Sequence, residues 1–222
     1  MKRFLRLNSW FLVPFLIFQI AGLFIWHHSD QEVLFHSLHP THTPFLDSLF
    51  RFGSFIGEWF GWILIALISF SYKIRFGIFS VVAMLGTGGV ALLLKLYFFP
   101  DEMRPSHSLP LESLQVVPWV ELQTSNSFPS GHTMAAFCLM AILNLRFNFK
   151  FPALGLLWFL IAVFIGYSRI YLNQHWPFDV LLGAIIGLSS TYFFFLVCQL
   201  IFNSLGKDAL ERSIFSLSTS LD

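Results

Sequence analysis

The chain has 222 residues, 56% hydrophobic and only 11% charged, with 29 phenylalanines and a formal net charge of +1. A soluble domain carries about 25% charged residues, so the composition excludes an ordinary soluble protein and fits an all-α, polytopic membrane helical bundle forming a single domain, 1–222. The near-neutral balance offers no basic field for nucleic acid, and Cys138 and Cys198, inside apolar runs, read as small buried hydrophobes rather than as a disulfide or metal pair.

A membrane-crossing helix needs roughly 20 apolar residues, and six stretches are predicted to cross. The first is Phe11–Trp26. Lys2, Arg3 and Arg6 precede it as in a signal peptide, but it runs into Ile25-Trp26-His27-His28 with no small-residue cleavage pattern, so it is expected to be retained. An outer segment follows, 29–55, in which Phe45, Leu46, Leu49 and Phe50 share a helical face and predict a short interfacial helix. His27, His28, His36, His39 and His42 crowd this region. Imidazole suits zinc or copper, but the spacing fits no closed helix-based site and no cysteine joins, so a solvated or headgroup-facing loop is expected. The second and third stretches are Trp59–Phe70 and Phe76–Phe99, then comes an outer loop, 100–131, with Pro105, Pro110 and Pro118 and many Ser, Gln and Thr residues. Long ordered loops are often functional. Thr133–Leu145, Phe151–Tyr167 and Phe178–Phe202 complete the set, and a polar tail, 203–222, ends the chain. Gly86, Gly88, Gly89, Gly183 and Gly187 read as helix-packing positions.

Charge orients the bundle. With the N-terminus inside, nine basic residues (Lys2, Arg3, Arg6, Lys73, Arg75, Arg146, Lys150, Lys207, Arg212) fall on the cytoplasmic side and four (Arg51, Lys95, Arg104, Arg169) outside. That satisfies the positive-inside rule and places both termini in the cytoplasm.

Three polar clusters then converge on the outer face: Lys95 with Arg104-Pro105, Phe128-Pro129-Ser130-Gly131-His132, and Ser168-Arg169 with His175 and Asp179. A charge at a membrane boundary must be solvated, paired or used. Ser130-Gly131-His132 enters the fourth stretch, where a helix N-terminus offers unpaired N–H groups to an anion; alone it reads equally as a plain cap. Asp179 lies four residues after His175, with Pro177 suited to a first helical position between them. The carboxylate either orients the imidazole or marks a helix start. Arg169 has the fork geometry that fits phosphate oxygens. Lys95 and Arg104 are phosphate ligands or, alternatively, salt-bridge partners of Asp101 and Glu102. As a set they can hold a phosphate and attack it.

These clusters resemble the three signature motifs of the type 2 phosphatidic acid phosphatase family. The second and third match without a gap, while eight residues separate Lys95 from Arg104, a longer spacing than is usual in the family's first motif. The resemblance implies a membrane lipid phosphatase acting on a lipid phosphate among membrane lipids. Undecaprenyl diphosphate, phosphatidylglycerol phosphate, phosphatidic acid and lipid A are the substrate types. His175 would attack phosphorus, Asp179 would orient it, and His132 would protonate the leaving oxygen. Lys95, Arg104, Arg169, Ser130 and Gly131 would hold the phosphate oxygens, with no metal and no other cofactor. A bacterial inner membrane is implied too, and the charge distribution above puts the site on the extracytoplasmic side. Alternatives are a lipid phosphotransferase of the same fold, using a polyprenyl diphosphate donor, and a non-enzymatic carrier; the second would need polar residues distributed through the spans.

Overall fold

The computed structural model describes residues 2–148 and 150–204; the expected polar tail lies outside them from 205 onward. Among the described residues the chain is helical, without a strand. The helices run α1 (Lys2–His27), α2 (Gln31–Ser37), α3 (Pro44–Ile56), α4 (Trp59–Tyr72), α5 (Ile74–Leu93), α6 (Pro105–Ser108), α7 (Gly131–Phe147), α8 (Leu154–Tyr171) and α9 (Pro177–Ser204). Capping chemistry sets several starts. Asp30 accepts from the Glu32 and Val33 N–H groups at α2, and Thr43 accepts from Leu46 N–H at α3, where Pro44 takes a first-turn position.

Four helical stretches are long and apolar enough to cross a membrane: Arg6–His27, Ile74–Phe98, Leu154–Tyr171 and Pro177–Ser204. α3 and α4 pass the same test only as a pair bent by 52°, and α7 is a shorter apolar helix of 17 residues, about 25 Å of rise. Length and composition therefore support four crossings, or five with the bent pair, where sequence patterning suggested six. The second predicted stretch is short because the helix breaks at Gly57–Glu58, between α3 and α4.

α7 is the centre of the bundle. Every residue from Thr133 to Leu145 is buried, as suits a helix that is apolar all round. α5, α8 and α9 pack around it. Gly183 and Gly187 let α9 close on α7: a Cβ at Gly183 would lie 3.0 Å from the Ser130 carbonyl oxygen, and one at Gly187 would strike the Met134 backbone. Gly86 and Gly88 meet the rings of Phe194 and Trp62, but Gly89 faces open space, contrary to the packing expected of it.

α3 lies against α8. Phe50 is buried beside Phe164, Tyr167 and Tyr171, and Gly53 admits the Phe164 ring. Of the four residues expected to share a face of α3, Phe50 is buried against α8 and Phe45 is 73% exposed. The long loop after α5 is tied down by polar contacts. Arg104 N–H donates to Thr124 O, Ser127 N–H to Glu102 O and the Trp176 indole to Met103 O, each at 2.9 Å. These bonds fold the loop across the turn between α8 and α9.

Candidate active site

His175 sits in the turn joining α8 to α9, and the backbone fixes it there. Asn173 takes a left-handed conformation (φ 57°), which an Asn tolerates better than most residues. This curls the chain so that the Gln174 and His175 N–H groups both donate to Arg169 O, at 2.9 and 3.2 Å. Pro177 then starts α9. Asp179, two residues further, reaches back to the Trp176 N–H at 3.0 Å, as an acid in the first helical turn does in a capping box. The same oxygen, Oδ2, accepts the Ser127 hydroxyl at 2.5 Å and faces His175 Nδ1 at 3.4 Å. Asp179 is thus a helix-start acid and an imidazole partner at once; the two readings of the sequence coincide.

Three cations surround this pair, and all three are held by neutral acceptors. Arg104 donates from Nε to Ser125 O at 2.8 Å and from Nη1 to Gln174 O and Oε1, each at 3.0 Å. Lys95 Nζ donates to Asn126 O at 2.6 Å, and Arg104 Nη2 approaches the same carbonyl at 3.5 Å. Asn126 is left-handed (φ 55°). Arg169 Nη1 donates to Ser54 Oγ, while its buried Nε has no partner. Among the described residues none of the three makes a carboxylate ion pair, so the expected alternative pairing with Asp101 and Glu102 is not found. Burial, together with the charges of Arg104, Arg169 and Lys95, keeps the pKa of His175 well below its ordinary value, so its imidazole is neutral at neutral pH.

The longer first motif does not carry Lys95 away from the site. After α5 the chain continues as a π-helical stretch, Leu94–Phe98, and then turns at Pro100–Asp101. A π-helical turn takes up extra residues, so Lys95 still shares the Asn126 carbonyl with Arg104.

The third wall is the start of α7. Ser130 caps the helix, accepting from the Thr133 N–H at 3.4 Å and the Thr133 hydroxyl at 2.8 Å. Its own N–H donates to Asp179 O at 3.2 Å, binding the second cluster to the third. Phe128–Pro129 is a cis bond. A Cβ on Gly131 would meet nothing within 4 Å, so there is open space beside the first residue of α7. His132, on the same turn, places Nε2 3.5 Å from Glu58 Oε1. The structure thus brings Lys95, Arg104, Ser130, Gly131, His132, Arg169, His175 and Asp179 together.

Five contributors were not read from the sequence: Ser54 and Glu58 at the α3–α4 bend, Ser127, the Asn126 carbonyl and Gln174. Glu58 had a usable signal, a lone carboxylate at the edge of an apolar run. Ser54 had none. His39 and His42 correct another expectation. They are half-buried rather than solvated: His42 stacks on Tyr171 at 4.1 Å and faces Asp47 at 3.2 Å. Burial lowers the pKa of both. No group of three or more His, Cys, Asp or Glu side chains suited to a metal occurs among the described residues.

A family model described as the PAP2 superfamily matches residues 76–202, more than half of the chain. The chain belongs to the PAP2 superfamily. The resemblance carried by the three clusters is therefore correct. The chain is 33% identical over 105 residues to a lipid A 1-phosphatase of Porphyromonas gingivalis, covering 43% of this chain and 24% of the relative. It is 38% identical over 82 residues to phosphatidylglycerophosphatase B of Bacillus subtilis, covering 34% and 39%. The matches thus span less than half of these relatives' length. Among solved structures, LpxE of Aquifex aeolicus superposes with a TM-score of 0.62 at 25% identity, over 75% of this chain and 94% of that one. A PAP2-type phosphatidylglycerolphosphate phosphatase of Bacillus subtilis gives 0.61 at 25% identity, over 89% and 98%. That phosphatase is a transmembrane protein, in agreement with the apolar helices here: this is a multi-pass membrane protein.

Proposed function

We propose that the chain is a membrane lipid phosphatase that hydrolyses a phosphate headgroup through a phosphohistidine intermediate. The observation that carries this reading is the set of three buried or half-buried cations, held only by neutral acceptors, around the His175–Asp179 pair. Cations placed in this way, with no carboxylate partner among the described residues, suit a phosphate anion. Lys95, Arg104 and the Arg169 fork hold the phosphate oxygens, with the Ser130 hydroxyl and the N–H of Gly131 beside them. His175, neutral and fixed through Nδ1 by Asp179, attacks phosphorus through Nε2. His132 gives its proton to the leaving oxygen and later takes one from the water that cleaves the intermediate. The cations supply the charge neutralisation that phosphoryl transfer needs, so catalysis runs without a metal. The lipid A and phosphatidylglycerophosphate relatives support an amphiphilic substrate whose phosphate lies at the membrane surface.

The bent α3–α4 pair counts here as one crossing and α7 as another, giving six, with the termini cytoplasmic and the site extracytoplasmic in a bacterial plasma membrane. The nine-to-four distribution of basic residues supports this orientation.

The test is phosphate release by the purified full chain in detergent against a panel of lipid phosphates, with acid-quench trapping of the enzyme. Release should be inhibited by vanadate and survive excess EDTA. Labelled phosphate should be trapped on the wild type and lost with His175→Ala. Phosphate trapped on His175→Ala, or activity lost on chelation and restored by one divalent ion, overturns the reading.

A further inference from the structure

A carboxylate stands where an anion site should have none. Glu58 lies at the corner between α3 and α4, outside the family-matched residues 76–202. It is the N-cap of α4, yet its side chain makes no capping bond. It turns instead to His132, 3.5 Å from Nε2, and stays partly open to the surroundings, with 41% of the side chain exposed. The corner is built to hold it there. Gly57 packs on the first turn of α7: a Cβ at that position would come within 3.5 Å of the His132 carbonyl oxygen and 3.1 Å of Ile165. The same corner supplies Ser54 to Arg169. One bend therefore sets both a phosphate-holding cation and the partner of the leaving-group acid.

We propose that Glu58 is a specificity-determining residue that favours phosphomonoesters with an uncharged alcohol as leaving group and disfavours diphosphates. The proposal rests on the phosphatase reading above. When the His175 Nε2–phosphorus bond forms, the phosphorus–oxygen bond breaks and its electron pair stays on the leaving oxygen. The proton of His132 passes to that oxygen, and His132 becomes neutral. Whichever nitrogen of His132 faces the leaving oxygen, the Glu58 carboxylate lies no more than one imidazole away. Its charge does two things there. It stabilises the protonated imidazole, which matters most for a poor leaving group such as a lipid alkoxide. It also repels a leaving group that is itself an anion, as the second phosphate of a diphosphate is. Building in repulsion against the wrong partner is a common route to selectivity.

The experiment compares wild type with Glu58→Gln, full chain in detergent micelles, using lysophosphatidic acid as the monoester probe and farnesyl diphosphate as the diphosphate probe. Inorganic phosphate release gives kcat/KM for each. The wild type should prefer the monoester, and Glu58→Gln should shift the ratio toward the diphosphate by about tenfold or more, an effect of removing one nearby charge. Glu58→Asp, which keeps the charge, should keep the wild-type preference. An equal loss on both probes would mean that Glu58 is merely structural and would sink the proposal, as would a wild type that prefers the diphosphate. If Glu58→Gln does not fold, the wild type alone decides: methylenediphosphonate should compete more weakly than inorganic phosphate, and tighter competition overturns the idea. No phosphate release from any lipid phosphate would instead remove the phosphatase reading beneath it.

Discussion

At the scale of single residues, one oxygen carries much of the site. Asp179 Oδ2 faces the Ser127 hydroxyl, the Trp176 N–H and His175 Nδ1. Asp179→Asn retains an acceptor oxygen for these donors but loses the charge that supports the imidazole in the transition state. Activity should fall on the order of a hundredfold or more, while the melting temperature should move little; a matching collapse of the melting temperature would assign Asp179 to packing alone. pH offers a second test. Burial and three cations hold the His175 pKa well below its ordinary value, so the imidazole stays neutral, and nucleophilic, below the usual histidine midpoint of about 6.5. The acid limb of kcat/KM should therefore lie below that value, and a limb centred at or above it would mean that burial and the cations do not hold His175 neutral in the working enzyme. The stability effect has a definite sign. Between the lowered pKa and about 6.5 the unfolded chain binds more protons than the folded one. The contribution of His175 is constant above that window and falls as pH drops through it.

At the scale of elements, two glycines of similar sequence appearance have opposite fates. Gly187 presses on the Met134 backbone, whereas Gly89 faces open space. Gly187→Val should force α9 off α7 and destabilise by about 1–3 kcal/mol, the usual range for overpacking. Gly89→Ala should be neutral or stabilising by roughly 0.5–1 kcal/mol, from helix propensity. Thermal unfolding in detergent reads both, and equal effects would show that α7–α9 contact does not govern the bundle. The contrast shows what a sequence can disclose. The apolar runs announced α1, α5, α8 and α9, because burial in lipid demands an unbroken stretch of such residues. The three clusters were legible because their chemistry is out of place beside those runs. At the corner Ser54–Glu58 only the carboxylate of Glu58 stood out beside an apolar run; its place in the site comes from a 52° bend that brings the corner onto α7 and α8, and no local pattern encodes that approach. The π-helical stretch after Leu93 was hidden for a similar reason: patterning showed an unbroken apolar run, and only the backbone shows the turn that keeps Lys95 beside Arg104.

At the scale of the whole molecule, the folded chain gathers its catalytic candidates at one end and leaves Lys73, Arg75, Arg146 and Lys150 at the helix ends opposite, around the α4–α5 and α7–α8 junctions. Cationic helix ends on one side and the candidate active site on the other give the molecule a sided design, as the proposed orientation requires. The two native cysteines, Cys138 and Cys198, are both buried and form a silent background for thiol labelling. His107→Cys, in the exposed part of the loop after α5, should react with a membrane-impermeant maleimide in intact spheroplasts. Lys150→Cys, exposed at the opposite end, should react only after lysis. The reversed pattern would place the site in the cytoplasm and refute the orientation drawn from the basic residues. Labelling of both positions in intact cells would break the sidedness argument itself, because it would put the α7–α8 junction and the candidate active site on the same face of the membrane.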